Sequence, residues 1–302
     1  MHTHIAGLFV GPGRDFSNEP INYSEILEFP GFEVSTSPCV PPPLPNPLVA
    51  YFIMEVNSQP LLCGGFDYGI NSFSSSCFLL SSNGWQGAPQ ISSLLKARAY
   101  GPSVMLESGW WITGGYDGDY LASTELRGPD GTWTQYDNLP RGMAGHCMVA
   151  VNRSHVFMTG GEDGVSILQA TYIYDIQNKI WHRMKDMSTG RSQLTCIQLD
   201  DDTILVAGGQ GINGALRSTE LYSLSSGNWI FGQDLPGPTF GSQMIKLGGN
   251  VYHVGDLQTG DQESSITRLH LNPERWEAIG SLGRNRIEFG ATVIRLTSDC
   301  NG

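Results

Sequence analysis

The sequence has few charges and no long apolar segment. Charged residues make up 15% of the 302 residues, where soluble domains usually contain about 25%, and only four residues are lysine against thirteen arginines. Acidic residues still outnumber basic ones, so the net charge is −12, which argues against nucleic acid or an anionic membrane as the main partner. The longest apolar run, Leu48 to Met54, has seven residues, and a membrane-spanning helix needs about 20.

Catalytic and metal-binding motifs are missing as well. The chain contains no Gly-x-Ser-x-Gly, His-Glu-x-x-His or Cys-x-x-Cys and no phosphate-binding glycine loop, which removes the commonest signatures of hydrolases, zinc sites and nucleotide sites. His146 and Cys147 are adjacent, and adjacent residues on a strand point to opposite faces, which argues against a catalytic dyad. We predict no catalytic residue, no metal site and no cofactor.

Glycine and aromatic residues are abundant instead. The chain has 38 glycines, and hydrophobic residues make up 40% of it, which is enough for a buried core and argues against disorder. This excess of glycine and aromatics, together with serine and threonine, favours strands joined by tight turns over helices. The fold class that we predict is all-β.

A repeat of about 48 residues runs through the chain. Trp85, Trp133, Trp181, Trp229 and Trp276 are separated by 48, 48, 48 and 47 residues. A glycine pair, or Gly255-Asp256 in its place, precedes each tryptophan by 19 or 21 residues. The four complete pairs are Gly64-Gly65, Gly114-Gly115, Gly160-Gly161 and Gly208-Gly209. Such a period is the signature of a repeat architecture.

Each repeat predicts four antiparallel strands. A continuous apolar run such as Val156 to Thr159 precedes the glycines and indicates a strand buried on both faces. An alternating segment such as Ser218 to Tyr222 predicts the next strand, and the tryptophan begins another. A further strand follows the loop after the tryptophan. Four antiparallel strands per repeat are typical of a propeller blade, with the tryptophans and glycine pairs as structural residues.

Six repeats predict a single six-bladed propeller over residues 1–302. The glycine positions lie near 11–13, 64–65, 114–115, 160–161, 208–209 and 255–256. The first repeat begins at its second strand and has no tryptophan, so Phe29 or Phe32 substitutes for it. The terminal segment Gly290 to Leu296 has the sequence of a first strand, and we expect it to complete the first blade and close the ring, which removes both open edges.

The doubled glycine after an apolar run, the Ser-Thr-Glu-Leu strand and the tryptophan at a fixed distance resemble the kelch repeat. The resemblance covers nearly the whole chain and is strongest over the second to fifth repeats. The positions of Cys39, Cys63, Cys77 and Cys300 also resemble those of secreted kelch-repeat proteins of invertebrates. The resemblance implies a β-propeller, a fold that hosts many functions.

The cysteines leave more than one pairing open. Cys63 ends one predicted strand and Cys77 starts the next, so the two lie at the same end of a hairpin and are able to bond. Cys39 lies in the loop that enters the same blade and is the alternative partner. Cys147 and Cys196 fall in the first strands of successive blades, where we expect buried free thiols.

The compartment is inferred from weak signals. The chain carries no signal peptide, yet its first strand begins within a few residues of Met1, as in a chain from which a leader has been removed. We expect a secreted protein, with a cytoplasmic location as the alternative.

The loops at one end of the predicted blades carry the candidate binding residues. The loops after the second strands are acidic and aromatic, and those between blades carry an arginine in most repeats. The candidates are Tyr68, Tyr116, Asp117, Glu162 and Asp163 in the first set, and Arg98, Arg141 with His146, Arg191, Arg284 and Arg286 in the second. Asp67, Asp119, Asp256 and Asp261 belong to the same acidic loops.

Two interpretations of the arginines remain open. Arginines that surround a channel mouth resemble the peptide-binding face of kelch adaptors, where they engage carboxylates bidentately. Alternatively, each arginine pairs with a carboxylate of the protein itself and only holds neighbouring blades together.

The function that we predict is a non-enzymatic binding module whose loop face holds a protein, a peptide or an extracellular ligand. The alternative is a carrier of a small apolar ligand, or a metal-dependent enzyme, with its site in the channel or between protomers. The sequence does not determine the oligomeric state.

Overall fold

The computed structural model describes residues 5–15, 17, 19–28, 35–36, 40–255, 257, 266–272, 274–284 and 286–296. These residues form antiparallel strands and turns. None of them forms a helix with the length and apolarity needed to cross a membrane. The fold is all-β, as the composition predicted.

Six sheets have four strands each, and we number them in chain order. The strands of each sheet are given from first to fourth in spatial order. Sheet 1 contains Ala291–Leu296, Ile5–Val10, Glu25–Glu28 and Ser35–Thr36; sheet 2 contains Phe52–Val56, Gln59–Cys63, Cys77–Ser81 and Gly84–Gln86; sheet 3 contains Ser103–Leu106, Gly109–Thr113, Thr124–Arg127 and Trp133–Tyr136. Sheet 4 contains Ala144–Ala150, His155–Glu162, Thr171–Asp175 and Ile180–Arg183; sheet 5 contains Thr195–Gln198, Thr203–Ala207, Thr219–Ser223 and Trp229–Phe231; sheet 6 contains Gln243–Leu247, Asn250–Val254, Ile266–Leu271 and Glu274–Gly280.

Short strands in the loops form three smaller sheets. Gly13–Arg14 pairs with Pro20–Ile21, Gln210–Gly211 pairs with Gly214–Ala215, and Phe66–Asp67 lies between Leu48–Val49 and Ser72–Phe73.

The second strands are the most deeply buried, which explains their continuous apolar sequences. In Thr203–Ala207 the last four residues are buried, and the same holds for Gln59–Cys63 and Asn250–Val254. A strand covered on both faces needs no polar alternation. The fourth strands are mostly exposed, as in Ile180–Arg183, because they lie at the outer edge of their sheets.

Three of the glycine pairs directly follow the second strands, and Gly160-Gly161 lies near the end of His155–Glu162. At these places a side chain does not fit. Gly160 and Gly161 have φ angles of +71° and +93°, a region that residues with a Cβ rarely adopt. A Cβ on Gly160 would lie 2.7 Å from the carbonyl oxygen of Arg191, and one on Gly161 would lie 2.8 Å from that of Ala144. The other three pairs also have positive φ angles, so the doubled glycine is required by both conformation and space.

The repeated tryptophans pack between neighbouring sheets. Trp133 of sheet 3 lies in a cluster with Phe52, Met54 and Leu61 of sheet 2. Its indole N–H donates to the carbonyl oxygen of Ser92 in the loop between the two sheets, at 3.2 Å. Trp85, Trp181, Trp229 and Trp276 donate in the same way to loop carbonyls, at 2.8–3.1 Å. Each indole thus buries a large apolar area and satisfies its polar group.

The hydrophobic core is divided into six clusters, and each cluster joins two neighbouring sheets. One cluster joins sheet 6 to sheet 1, where Tyr252 and Val254 pack with Leu8 and Leu27. The last strand, Ala291–Leu296, pairs antiparallel with Ile5–Val10. The first strands of neighbouring sheets are also in contact, including those of sheets 6 and 1. The two ends of the described chain therefore meet in sheet 1.

Among the described residues, two disulfides join strands. Cys63 and Cys77 are opposite each other in sheet 2, with Cα atoms 4.0 Å apart, and are bonded. Cys147 and Cys196 are bonded as well, which corrects the expectation of free thiols. They lie on the first strands of sheets 4 and 5, and the packing of those strands brings their Cα atoms to 6.1 Å. This distance is within the range of natural disulfides.

Several residues singled out in the sequence lie outside the described residues. They are Phe29, Phe32, Cys39, Asp256, Asp261 and Cys300.

Candidate binding face

The sheets have two different ends. At one end lie the loops between second and third strands and the loops that lead into the first strands, and we call this end the loop face. At the other end lie the turns between first and second strands and between third and fourth strands, and we call this end the hairpin face. The antiparallel order of every four-stranded sheet places the two kinds of connection at opposite ends. All the sequence-predicted binding residues belong to the loop-face connections or adjoin them.

A cycle of backbone hydrogen bonds runs across the loop face. It contains one residue at or just before the start of the first strand of each sheet, and each N–H donates to the carbonyl oxygen of its counterpart in the preceding sheet. The bonds run from Ala50 to Glu288, Glu288 to Gly241, Gly241 to Gln193, Gln193 to Gly145, Gly145 to Tyr100 and Tyr100 to Ala50, at 2.6–2.9 Å. The cycle links all six sheets.

The residues of this cycle share an unusual backbone conformation. All six have φ angles between +52° and +63°, yet only Gly145 and Gly241 are glycines. The left-handed conformation costs other residues about 1–2 kcal/mol each, and such strain is concentrated at functional sites. Tyr100, Gln193 and Glu288 therefore hold long polar side chains in a strained conformation at the centre of the loop face.

A cavity of about 320 Å³ is lined by these residues and by the first strands of all six sheets. Its wall includes the Cys147–Cys196 disulfide, and polar groups such as Ser103 and Thr195 alternate with apolar ones such as Met244. Its volume lies at the lower end of the range for small-molecule sites.

Three of the predicted binding arginines are internal. Arg98, Arg191 and Arg286 are at most 1% exposed. Arg191 donates from Nη1 to the carbonyl oxygens of Gly208 and Ser218, at 3.0 and 2.8 Å, and from Nη2 to Glu220 at 3.0 Å. Arg98 makes the same set of contacts with Gly114, Ser123 and Glu125, and Arg286 with Gly11, Tyr23 and Glu25.

Each of these arginines holds a buried carboxylate in place. Glu220 also accepts the backbone N–H groups of Ser188 and Thr189, at 2.7 and 3.1 Å, so it ties the loop before sheet 5 to the third strand of that sheet. Burial lowers the pKa of the Arg191 guanidinium, and Glu220 acts in the opposite direction. A guanidinium with these internal partners is not available to a ligand. We therefore assign Arg98, Arg191 and Arg286 to the framework rather than to the binding face.

Sheets 2 and 4 place apolar pairs where these ion pairs lie. In sheet 4 the equivalent positions are Met143 and Tyr172, which pack in one hydrophobic cluster. In sheet 2 they are Leu48 and Phe78. Arginine is thus present where the third strand carries glutamate, and this coincidence was a signal in the sequence for internal pairing.

Three exposed cations of the loop face lie two residues before the internal positions. Lys96 pairs with Asp117 at 3.0 Å and Arg141 with Asp163 at 2.8 Å, and Arg284 pairs with Asp15. The three cationic side chains are 46–49% exposed. Pairs of this kind contribute at most about 1 kcal/mol each to stability. These side chains are the ones that a partner is able to reach.

A buried ion pair lies at the centre of the face. Arg14 forms a two-pronged contact with Glu288, at 2.6 Å for both hydrogen bonds. The hydroxyl of Tyr100 donates to the same carboxylate at 3.3 Å. Sequence reasoning missed Arg14, Tyr100 and Glu288 because their neighbours on the chain gave no motif, and Arg14 and Glu288 are 274 residues apart.

A row of aromatic rings connects the loops of sheets 2 and 3. Tyr68 contacts Phe66, Phe66 contacts Phe73, Phe73 contacts Tyr116 and Tyr116 contacts Tyr120, with ring centroids 5.0–5.4 Å apart. The Tyr120 ring packs against Gly164 of sheet 4, where a Cβ would lie 2.8 Å from the ring. All five rings are half-buried. We call these residues the aromatic row.

His146 is buried next to this surface rather than on it. It is 4% exposed, and its Nε2 lies 2.9 Å from the hydroxyl oxygen of Thr113 in the neighbouring sheet. Burial lowers the pKa of His146 to about 3, so the imidazole is neutral at physiological pH. Glu162, by contrast, is half-buried at the loop face, and burial raises the pKa of its carboxyl group.

Three loop tips project apolar side chains into solvent. Ile70, Val165 and Ile212 lie in the loops between second and third strands of sheets 2, 4 and 5 and are 64%, 91% and 91% exposed. Sequence reasoning did not single them out, because an isolated aliphatic residue in a polar loop has no distinctive pattern.

The sequence is similar to those of scruins and Kelch-like proteins. It is 26% identical over 132 residues to alpha-scruin of Limulus polyphemus, a match to 41% of this chain and 14% of that protein. It is 29% identical over 185 residues to Kelch-like protein 36 of Rattus norvegicus, which covers 55% of this chain and 30% of that protein. The similarity to Kelch-like proteins is consistent with the kelch resemblance of the repeats.

The kelch match is confined to parts of longer proteins. Kelch-like protein 40 of Mus musculus is 26% identical over 180 residues, 55% of this chain and 29% of that protein. The chain thus spans less than a third of the length of the curated relatives that it matches. No family model matches the sequence.

Proposed function

We propose that this protein is a binding module whose loop face holds a protein or peptide partner. The observation that carries the proposal is the exposure of Ile70, Val165 and Ile212 at the loop tips of sheets 2, 4 and 5. Apolar side chains that project together from one face are typical of an interaction surface. The similarity to Kelch-like proteins and scruins also supports a protein-interaction module.

We also propose that the six sheets are the blades of one closed propeller. The cycle of six backbone hydrogen bonds, the cluster between sheets 6 and 1, and the pairing of the last strand with Ile5–Val10 support a closed ring. In such a ring the cavity is the mouth of a central channel, and the loop face surrounds it. Residues 1–302 are then one domain.

The binding residues in this proposal are a subset of those that the sequence suggested. Arg141, Arg284, Tyr68 and Tyr116 remain, together with the carboxylates of Asp117, Glu162 and Asp163. The exposed apolar tips and the aromatic row are added to them. The internal arginines and His146 hold the loops that present this surface.

A pair of exposed substitutions tests the face. Val165→Asp/Ile212→Asp places two charges on the loop tips without disturbing the core, because both side chains are 91% exposed. The control, Met105→Asp/Leu271→Asp, changes two exposed residues towards the hairpin face, 49% and 54% exposed. We expect the affinity for a partner purified from the native source to fall at least tenfold in the first variant and less than twofold in the second. Equal affinities in all three proteins would contradict the proposal.

A small ligand in the cavity is the second candidate function. The cavity of about 320 Å³ is large enough for a compact molecule, and its mixed lining suits one with both polar and apolar groups. Native mass spectrometry of protein from its own source, compared with the chain mass of 32.9 kDa, tests this candidate. Additional mass that is lost on denaturation would support it, and the bare chain mass would count against it.

Secretion remains a proposal as well. The bonded pairs Cys63–Cys77 and Cys147–Cys196 support an oxidising compartment, because disulfides persist there and are rare in the cytosol. Intact mass measured before and after alkylation without reductant checks whether the native protein carries these bonds. Alkylation of four or more thiols would overturn the proposal.

A further inference from the structure

The exposed cations of the loop face are already matched by the protein's own carboxylates. Lys96, Arg141 and Arg284 pair with aspartates of neighbouring loops, and Arg14 pairs with Glu288. The three framework arginines add no surface charge because they are internal. An acidic ligand would therefore have to displace existing carboxylate partners before it could bind.

By contrast, two carboxylates of the loop face lie outside the ion pairs of the described residues. Asp119 is exposed and Glu162 is half-buried, and within the described part of the chain neither forms an ion pair with a lysine or an arginine. Both adjoin Tyr120, since Asp119 precedes it in sequence and Glu162 shares a loop with Gly164, against which the Tyr120 ring packs. The surplus charge of the loop face is thus negative and is centred beside the aromatic row.

Neighbouring tyrosines respond to this negative potential. Burial raises the pKa of the Tyr120 hydroxyl, and the charges of Glu162 and Asp163 raise it further. Burial also raises the pKa of Tyr68, where Glu288 and Glu19 act in the same direction against Arg14.

The aromatic row adds a second kind of attraction for a cation. Tyr116 and Tyr120 lie with ring centroids 5.0 Å apart and remain partly exposed beside Asp119 and Glu162. An ammonium or guanidinium group over such a ring gains about 0.5–1 kcal/mol at an exposed site, and adjacent carboxylates add a charge-assisted hydrogen bond. The nearby Ile70 and Val165 side chains offer apolar contact to the residues on either side of the cation.

We propose that the loop face binds a basic segment of a protein partner, with arginine or lysine side chains placed over the Tyr116–Tyr120 rings and against Asp119 and Glu162. The proposal rests on the proposed function and defines the chemistry of its partner. The sequence left open whether the arginines engage an acidic ligand or pair within the protein. Arg98, Arg191 and Arg286 pair internally, whereas Asp119 and Glu162 remain at the loop face.

Fluorescence anisotropy with two labelled peptides tests the proposal. One peptide alternates arginine with valine and the other alternates glutamate with valine. The protein variants are Asp119→Asn/Glu162→Gln on the loop face and Glu107→Gln/Asp201→Asn on the hairpin face, which make the same change in net charge. Glu107 and Asp201 are exposed, so the control variant retains its fold.

We expect the basic peptide to bind and the acidic peptide not to bind. The loop-face variant weakens binding at least tenfold, the hairpin-face variant less than twofold, and Tyr116→Leu about threefold, as the loss of one cation–π contact requires. Equal weakening by both charge variants, or tighter binding of the acidic peptide, would overturn the proposal. If Val165→Asp/Ile212→Asp abolishes binding of the native partner while the basic peptide fails to bind, the proposed function stands and this inference fails.

Discussion

Replacement of Arg191 by methionine tests whether the internal ion pairs hold the loops as the geometry requires. Arg191 and Glu220 are both 0% exposed, and the substitution leaves the Glu220 carboxylate buried without its counter-charge. It also leaves the carbonyl oxygens of Gly208 and Ser218 without the guanidinium donor that they share. Removal of one partner of a buried pair costs about 3–5 kcal/mol. For a chain of this length we expect the Tm to fall by roughly 10 °C.

A second variant gives sheet 5 the residues that sheet 4 has at the equivalent positions. In sheet 4 the equivalent positions hold Met143 and Tyr172, both buried in one cluster. Arg191→Met/Glu220→Tyr places the same apolar pair in sheet 5. Since a well-packed apolar pair often equals a buried ion pair in stability, we expect the double variant to lie within about 2 kcal/mol of the wild type, despite carrying one more substitution.

Equilibrium urea unfolding followed by tryptophan fluorescence measures both effects, with Trp229 of the same sheet as a reporter. Arg141→Met is the matched control, because its pair with Asp163 is exposed and contributes at most about 1 kcal/mol. If Arg191→Met costs no more than the control, or if the double variant is as unstable as the single one, the role assigned to the internal pairs is refuted.

Three further predictions concern stability and use the same unfolding assay. Burial lowers the pKa of His253 to about 4, below the value of about 6.5 in an unfolded chain. The unfolded state therefore takes up a proton first, and the free energy of unfolding falls as the pH drops from about 6.5 to about 4. His253→Leu, which copies Leu62 at the equivalent position, should therefore gain about 2 kcal/mol more at pH 5 than at pH 7.5; equal gains would contradict the assignment. Cys147→Ala/Cys196→Ala removes a disulfide between residues 49 positions apart and should lower the free energy of unfolding by about 4 kcal/mol. Cys63→Ala/Cys77→Ala removes one between residues 14 positions apart and should lower it by about 3 kcal/mol. Ala50→Gly, at a φ angle of +52°, should stabilise the protein by about 1 kcal/mol, whereas Ala150→Gly in an ordinary strand should destabilise it.

Local physical chemistry decided the features that could be read from the sequence. The apolar runs specify buried second strands because burial on both faces leaves no polar positions. The glycine pairs mark the ends of those strands because the chain takes positive φ angles there, which glycine adopts readily. The tryptophans mark the fourth strands of sheets 3 and 5, which they begin as expected. Each of these rules involves a residue and its near neighbours on the chain, so one sequence is enough to apply them.

The composition of the binding face depended on contacts between distant parts of the chain. The sequence indicated an arginine before most first strands, and a glutamate in the third strand accompanies the internal ones, but only the structure shows that the two side chains meet. Arg191 turns inward because Glu220 and the carbonyl oxygen of Ser218 lie at its guanidinium, whereas Arg141 stays outside because Met143 occupies the internal position of its own sheet. Likewise, Cys147 bonds to Cys196 only because two first strands pack side by side. A charged side chain is buried only where folding places a partner of opposite charge beside it. In this protein the tertiary structure alone determines where the two partners meet.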